Sequence, residues 1–193
     1  MDATLSSMDA LIREPRRFNP LLRLGVWASE RVTGRRMQPA RLLAWYPKAA
    51  IGAGVLETLV AHDEPSARIL KLVRVTASLT TNCPFCVDMN SFEPDAAGVT
   101  DGELSSLQRW VGDLDAELAA SLDERERTAI AYARAISSTP LDFPPSLKAD
   151  VTRLFTEREI VILATTAAQV NFWARTIQAL GIQPAGFCTI PTA

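Results

Sequence analysis

Apolar positions along the chain recur at intervals of three and four residues, and no stretch alternates regularly between apolar and polar residues before a hairpin turn. This periodicity is typical of amphipathic helices and not of strands. The first clear case is a helix predicted from Pro20 to about Gly34. Its apolar face is formed by Leu21, Leu24 and Trp27. The pattern predicts an all-α protein.

Prolines and capping boxes mark where further helices begin. Prolines predict helices over residues 40–46 and 48–61 and a third that begins at Pro65 and runs directly into a pair of cysteines. A Ser or Thr followed three residues later by Glu occurs before three helix-compatible runs, at Thr100 with Glu103, Ser121 with Glu124, and Thr156 with Glu159. Residues 93–99 and 137–146 are rich in loop-forming residues. We therefore expect a helical bundle of about seven to nine helices.

A weak internal similarity appears when residues 69–86 are aligned with residues 157–174. Both are apolar helical runs, and the alignment pairs Cys83 with Asn171 and Phe85 with Trp173. Two amphipathic helices often resemble each other to this degree. A duplicated helical unit is therefore only a hypothesis, in which one half alone carries thiols.

Length and charge restrict the possible classes of function. A chain of 193 residues can form one compact domain. Its 20 basic and 22 acidic side chains give a net charge of −2, and the basic residues are scattered, so no nucleic-acid partner is expected. The N-terminus does not resemble a secretory signal, and the longest strongly apolar run, residues 160–170, is too short to span a bilayer. We expect a cytoplasmic protein with no membrane partner.

The feature with the clearest chemistry is the pair Cys83 and Cys86, which are close enough to form a disulfide. Pro84 is suited to the first position of a helix, so Cys83 is predicted to cap that helix and Cys86 to lie in its first turn. The positive end of a helix stabilises a thiolate and can lower a thiol pKa from about 8.5 to roughly 3.5–7.5. The spacing therefore predicts redox-active thiols.

The two cysteines allow two other interpretations. A structural zinc site needs about four ligands, and the chain offers only Cys188 and His62 in addition, at no recognisable spacing, so no metal is expected. Two buried, inert thiols remain an alternative, because free cysteine packs like a small apolar residue. A reducing cytoplasm favours a catalytic or redox-sensing pair over a lasting structural disulfide.

Residues 42–182 resemble the AhpD-like, carboxymuconolactone decarboxylase superfamily of all-helical proteins. The resemblance is carried by the run from Asn82 to Ser91, by the apolar helix before it, and by residues 170–175 and 179–182 near the end of the chain. It implies an AhpD-like domain over residues 37–193. Residues 1–36 would then be an N-terminal extension, which could serve as an oligomerisation arm.

The resemblance implies a homotrimer or homohexamer and, for the AhpD branch, a thiol-dependent peroxidase and disulfide reductase. Cys86 would attack a hydroperoxide, and Cys83 would resolve the resulting sulfenic acid into a disulfide. A dithiol reductant of the lipoyl or thioredoxin type would restore the thiols. No bound cofactor is implied.

The sequence departs from the AhpD pattern at two positions of its proton relay. Asn90 stands where the pattern has a histidine, and Lys71 stands where it has a glutamate. Asn90 can form hydrogen bonds but cannot exchange protons near neutral pH. Lys71 could favour a thiolate by Coulomb attraction, or could be an ordinary solvated lysine. Asn82 and Asp88 complete the candidate site, although Asp88 could simply be a partner of the helix dipole.

The sequence therefore favours a thiol-dependent oxidoreductase that reduces hydroperoxides or disulfides through Cys83 and Cys86. The missing relay predicts a weak peroxidase, because a general base contributes about 10²–10⁴-fold to a rate. One alternative is a decarboxylase or lactone-processing enzyme, which would need a cationic pocket. Another is a non-enzymatic helical oligomer in which the cysteines are structural or act as sensors.

Overall fold

The computed structural model describes residues 10–17, 19–60, 63–108 and 116–188. Over these ranges the chain forms ten α-helices and one short 3₁₀ helix, and contains no strand, which confirms the all-α prediction. The helices are α1 (Pro20–Thr33), α2 (Gln38–Leu43), α3 (Pro47–Val60), α4 (Ala67–Thr80), α5 (Pro84–Asn90), α6 (Asp101–Gln108), α7 (Ala116–Ser121), α8 (Glu124–Ser137), α9 (Pro145–Leu154) and α10 (Glu157–Ala179), with the 3₁₀ helix at Pro94–Ala97.

Helix α1 has the boundaries that the sequence predicts. The Asn19 side chain accepts a hydrogen bond from the Leu21 backbone N–H, and Pro20 occupies the first turn. Gly34 ends the helix in the left-handed conformation, at φ 64°, which glycine adopts without a steric cost.

Helix α4 begins two residues later than the proline signal predicts. Ser66 is its N-cap, and its hydroxyl accepts a hydrogen bond from the Ile69 N–H at 3.1 Å. Pro65 therefore lies before the helix and not in its first turn. A serine side chain can accept a hydrogen bond from a helical N–H, and this interaction decides the boundary.

Two of the three predicted capping boxes are present. The Thr156 hydroxyl accepts a hydrogen bond from the Glu159 N–H, and the Glu159 carboxylate accepts one from the Thr156 N–H. Thr100 and Glu103 exchange the same pair of hydrogen bonds at the start of α6. These interactions satisfy N–H groups that have no partner within the helix.

The box predicted at Ser121 with Glu124 is wrong. The N-cap of α8 is Asp123, which exchanges hydrogen bonds with Glu126, and Ser121 is the last residue of α7. Aspartate is also a favoured N-cap, so two overlapping signals were present in the sequence. The ionised carboxylate next to the positive end of the helix makes the later start the more stable one.

The structure also contains helices that the sequence pattern did not predict. Helix α9 begins at Pro145, inside the stretch that was assigned to a loop, because proline occupies the first helical turn there. A 3₁₀ helix lies within the predicted loop 93–99, and the six-residue α7 precedes α8. Short helices such as these carry too few apolar positions to show a period.

Helix α4 is the central helix of the described chain and packs against α5, α8 and α10. One core cluster forms where α4, α8 and α10 meet, around Leu70, Ala133 and Leu163. A second lies between α4, α6, α7 and α8, around Leu72 and Leu104. Because α4 is anchored by both clusters, the turn at its C-terminal end is held firmly in place, and that turn carries the cysteines.

Part of the predicted N-terminal extension contacts the rest of the chain. The Leu11 N–H donates to the Leu180 carbonyl oxygen at 2.9 Å, and the Trp45 indole N–H donates to the Arg13 carbonyl oxygen at 2.8 Å. Glu14 forms an ion pair with Arg41 of α2, at 3.6 Å. The proposed boundary after residue 36 stays a prediction.

Across the part of the chain that the structure describes, each helix is too short or too polar to cross a lipid bilayer.

Candidate active site

The cysteines lie in the sharp turn between α4 and α5. The Cys83 N–H donates to the Ser78 carbonyl oxygen at 3.2 Å, which closes the end of α4. Asn82 is exposed and has φ 48°, a conformation that asparagine tolerates better than most residues. Asn82 therefore contributes the shape of the turn.

Cys83 and Cys86 form a disulfide, with their Cα atoms 5.2 Å apart. Cys83 is the N-cap of α5 and Pro84 occupies its first turn, as the sequence predicts. The Cys86 N–H points at the Cys83 sulfur, at an N to S distance of 3.3 Å. After reduction, the positive end of α5 would favour a thiolate in the pair.

Both cysteines are buried, with exposed fractions of 0% for Cys83 and 2% for Cys86. Side chains from α2, α5, α10 and the last described segment surround them. The buried members of this cluster are Leu42, Phe85, Ala174, Ile177, Ile182 and Phe187. In this arrangement the sulfurs have almost no contact with solvent.

Asp88 binds the last described part of the chain to α5. One carboxylate oxygen accepts hydrogen bonds from the Ala185 and Gly186 N–H groups, at 2.8 and 2.9 Å, and the other accepts one from the Cys188 N–H at 2.8 Å. Gly186 has φ 74°, which lets consecutive N–H groups converge on one acceptor. The interpretation of Asp88 as a partner of the helix dipole is therefore replaced by a tertiary role.

Phe187 fills the space between this segment and the cysteine helix. Its ring is buried and makes edge-on contacts with Phe85 and Phe92, at centroid distances of 6.3 and 6.0 Å. The role of Phe187 is not predictable from the sequence, because a single aromatic residue after the last helix carries no periodic signal.

Asn90 points back to α4 from the end of α5. Its amide nitrogen donates to the Ser78 hydroxyl oxygen at 2.9 Å, and the Ser78 hydroxyl donates to the Arg74 carbonyl oxygen at 2.7 Å. Asn90 therefore has a structural hydrogen bond at the position where the AhpD pattern places a histidine. Ser78 was not predicted, although its helical spacing from Lys71 places both on one face of α4.

Lys71 is half-buried beside the C-terminal part of the chain, and its ammonium group donates a hydrogen bond to the Phe92 carbonyl oxygen. The alternative of an ordinary solvated lysine is therefore wrong. Burial lowers the pKa of Lys71, and the positive charge of Arg74 lowers it further, while Cys188 and Glu93 oppose the shift. Lys71 thus lies within electrostatic range of Cys188, which retains its thiol.

Arg74 is the second half-buried cation on this face of α4. No carboxylate of the described residues lies within ion-pair distance of it. Burial lowers the pKa of Arg74, and the more distant Glu57 carboxylate partly opposes this shift. Glu57 itself accepts a hydrogen bond from the Trp173 indole N–H.

Among the predicted auxiliary residues, Asp88, Asn90 and Lys71 each form a defined hydrogen bond, while Asn82 faces solvent. These bonds join them to the last described segment, to Ser78 and to Phe92, and not to the cysteine side chains. In the described ranges, no three His, Cys, Asp or Glu residues are arranged to hold a metal ion. His62, the only histidine, lies outside the described residues.

No family model matches the chain. Among curated proteins, the uncharacterized protein YnjA of Escherichia coli is 25% identical over 175 residues, which cover 89% of this chain and 92% of YnjA. This relative has no stated activity and extends over nearly the same length.

Several solved structures are also similar to the chain. An AhpD-core, peroxidase-related protein from Ralstonia eutropha superposes with a TM-score of 0.75 at 14% identity, covering 91% of this chain and 92% of the other. The chain has the AhpD-like fold. A variant of the debrominase Bmp8 in complex with 2,3,4-tribromopyrrole shares this fold, with a TM-score of 0.74 at 18% identity over 93% of this chain and 95% of the other.

A third structure with the AhpD-like fold comes from Agrobacterium tumefaciens and is described as a protein of unknown function and a putative antioxidant defence protein AhpD. It has a TM-score of 0.65 at 21% identity, covering 78% of this chain and 97% of its own. These likenesses define the fold, and proteins with different stated activities share it.

Proposed function

We propose that this protein is a thiol-dependent oxidoreductase in which Cys83 and Cys86 cycle between dithiol and disulfide. The observation that carries the proposal is the Cys83–Cys86 disulfide at the N-terminus of α5. A helix start favours thiolate over thiol, and two sulfurs already within bonding distance capture a sulfenic acid faster than a second molecule can.

In the proposed peroxide reaction, the Cys86 thiolate attacks one peroxide oxygen, and the O–O bond breaks. The products are a sulfenic acid on Cys86 and, after one proton is taken up, an alcohol or water. The Cys83 thiol then forms the S–S bond with Cys86 and releases water. A dithiol donor of the lipoyl or thioredoxin type reduces this disulfide by exchange and is itself oxidised to a disulfide.

Proton delivery limits the proposed peroxidase. The leaving oxygen needs a proton, and Asn90 cannot supply one. The Lys71 ammonium group could in principle supply a proton, but it is already engaged in a hydrogen bond to the Phe92 carbonyl oxygen. We therefore expect peroxide reduction to be slow, because it lacks the rate factor of about 10²–10⁴ that a well-placed acid or base contributes. Thiol–disulfide exchange should be faster than peroxide reduction.

The test is turnover of hydrogen peroxide and cumene hydroperoxide with dihydrolipoamide as the donor. Cys86→Ser should abolish turnover, and Cys83→Ser should stop the cycle after one oxidation because no disulfide can form. Cys188→Ser is the matched control and should keep turnover within about twofold of the unmodified protein, because Cys188 is not a member of the pair. Full turnover in Cys86→Ser would refute the proposal.

A second candidate is an enzyme that acts on a carboxylate-bearing substrate, such as a decarboxylase or lactone-processing enzyme. It is favoured by the half-buried Lys71 and Arg74, which lie one helical turn apart on α4. Two such cations without a carboxylate at ion-pair distance in the described chain could bind an anion, since a guanidinium matches a carboxylate geometrically.

Cysteine dependence separates the two candidates. If the protein consumes γ-carboxymuconolactone, Arg74→Gln should raise KM while Cys86→Ser leaves the rate unchanged. If the protein is instead a thiol-dependent peroxidase, hydroperoxide turnover should be lost in Cys86→Ser and kept in Arg74→Gln. The neutral cumene hydroperoxide serves as the reference substrate, because its binding does not need a cation.

We also propose that the protein works in a reducing, cytoplasmic compartment and assembles as a homotrimer or homohexamer. The exposed apolar residues on and before α3 support assembly, because such a concentration of apolar surface is unusual for a monomer. These residues are Trp45, Tyr46, Ile51 and Val55. Light scattering of the purified protein tests the assembly, and a monomeric mass would refute it.

A further inference from the structure

The buried disulfide raises the question of how any reactant reaches it. With 0% and 2% of their surfaces exposed, neither cysteine can be attacked by a hydroperoxide or by a donor thiolate in this arrangement. Nucleophilic exchange requires direct access to a sulfur atom. Some part of the surrounding cluster therefore has to move if the pair is to react.

The elements around the sulfurs differ in how strongly they are held. Helix α10 has 23 residues and contributes to the main core, so its displacement would disrupt the fold. The segment that follows it, residues 182–188, has no regular secondary structure. We call this the C-terminal segment. Local opening favours parts of a protein outside long, core-forming helices. The C-terminal segment is such a part of the cluster, because it has no helical hydrogen bonds of its own.

The C-terminal segment is anchored at both of its ends. Its start is fixed to α10, because the Ile182 N–H donates to the Ile177 carbonyl oxygen at 3.1 Å. Its far end is held by the three backbone N–H groups that bind Asp88 and by the Phe187 ring between Phe85 and Phe92. Loss of the second anchor would free the segment to turn about its attachment to α10.

Asp88 is suited to act as this anchor. It is buried, with 4% of its surface exposed, and no lysine or arginine of the described residues forms an ion pair with it. The hydrogen bonds from the three backbone N–H groups therefore offset the cost of burying the Asp88 carboxylate. When the C-terminal segment leaves, water can hydrate the carboxylate, so the open state is accessible and not prohibitively unfavourable.

We propose that the C-terminal segment closes over the Cys83–Cys86 pair, that Asp88 holds it closed, and that reactants reach the sulfurs only when it leaves α5. The proposal deepens the proposed function, on which it rests for its biological meaning. In this role Asp88 is a positioning residue. It controls access to the reacting atoms and does not touch the substrate.

The experiment measures how fast a phosphine, tris(2-carboxyethyl)phosphine, reduces the disulfide of the folded protein. All variants carry Cys188→Ser, which removes the third thiol but keeps the backbone N–H that donates to Asp88. In this parent protein the rate should level off as the phosphine concentration rises, because opening becomes limiting. The number of thiols formed is counted after quenching with iodoacetamide.

Asp88→Asn in this parent should raise the limiting rate by about tenfold or more, because charge-assisted hydrogen bonds to three amides are lost. Phe187→Ala should raise it as well, by removing the buried ring. Asp123→Asn is the matched control: the same change at the cap of α8, away from the sulfurs, should leave the rate within about twofold, since asparagine also caps helices well.

Equal rates in the parent, Asp88→Asn and Phe187→Ala would overturn the proposal. An equal increase in Asp123→Asn would overturn it too, because exposure of the sulfurs would then follow general destabilisation. If Asp88→Asn does not fold, Phe187→Ala decides. These measurements need no enzymatic activity. Gated reduction in a protein that shows neither hydroperoxide turnover nor Cys86-dependent disulfide exchange would therefore refute the proposed function and leave this inference standing.

Discussion

Two regions of α4 differ in whether their arginine side chains have carboxylate partners. At the start of the helix, Arg68 lies 2.6 Å from a carboxylate oxygen of Glu103 and 2.6 Å from one of Glu126, and it also donates to the Gly98 carbonyl oxygen. Further along the same helix, Arg74 has no carboxylate of the described residues within ion-pair distance.

The pKa values of the two arginines reflect this contrast. Hydrogen bonds to Glu103 and Glu126 raise the pKa of Arg68, although burial opposes them. Burial lowers the pKa of Arg74. A half-buried charge normally needs a partner of opposite charge. The two carboxylates beside Arg68 therefore account for the burial of its guanidinium, whereas the burial of Arg74 has no such explanation. Arg74 lies one turn before Ser78, which contacts the cysteine turn.

The largest effect is expected from Arg68→Met. It leaves two largely buried carboxylates without their cation, so the free energy of unfolding should fall by about 2–4 kcal/mol. Arg153→Met is the control, because Arg153 also binds two carboxylates but in an exposed position. Urea denaturation should show a much smaller loss for the control, because solvent screens exposed ion pairs. Equal losses would contradict the structural role of Arg68.

The second largest effect is expected at acid pH, which should weaken the interaction of Arg68 with Glu103 and Glu126. The hydrogen bond from Arg68 lowers the pKa of Glu103 to about 2, from an ordinary value of 4.5. Between these values the unfolded chain binds a proton that the folded protein does not, so the contribution is complete above 4.5 and is lost as pH falls towards 2. Glu103→Gln should flatten the loss of stability in this window, as measured by urea denaturation.

A smaller effect is expected at the cysteine end. Asn90→Ala removes a single neutral hydrogen bond to Ser78, and the free energy of unfolding should fall by about 1 kcal/mol. Ser78→Ala combined with Asn90→Ala should cost less than the sum of the single changes. Strict additivity would show that the two side chains do not interact in solution.

The smallest effect is expected from Arg74→Met. Because the guanidinium loses water without gaining a carboxylate partner, its replacement should change the free energy of unfolding by less than about 0.5 kcal/mol or raise it slightly. Urea denaturation of this variant beside Arg68→Met compares the two regions directly. A loss above about 1 kcal/mol would show that Arg74 stabilises the fold after all.

Much of the fold could be predicted from the sequence because helix starts are local. Pro20, Thr100 and Thr156 mark their helices through interactions within four residues. The wrong prediction at Ser121 has the same origin, since Asp123 offered a competing cap two residues later and only relative stability decides between them. Helix α9 was not predicted because its first residue, Pro145, lies in a stretch that is also rich in loop-forming residues.

The candidate site was predictable only in part. Cys83, Pro84 and Cys86 define their turn by local spacing, so their arrangement at the start of α5 could be predicted. The contacts of Asp88 with Ala185, Gly186 and Cys188 span about a hundred positions, and no local pattern encodes them. The same holds for Phe187.

The sequence by itself determined the helical class, several helix starts and the placement of Cys83 and Cys86 at the start of α5, because each depends on residues within one or two helical turns. The tertiary structure alone decided that these sulfurs are buried, that Asp88 holds the C-terminal segment and that Lys71 and Arg74 lie half-buried. Burial and long-range hydrogen bonds depend on how the helices pack, and the periodicity of one helix does not specify which neighbour covers it.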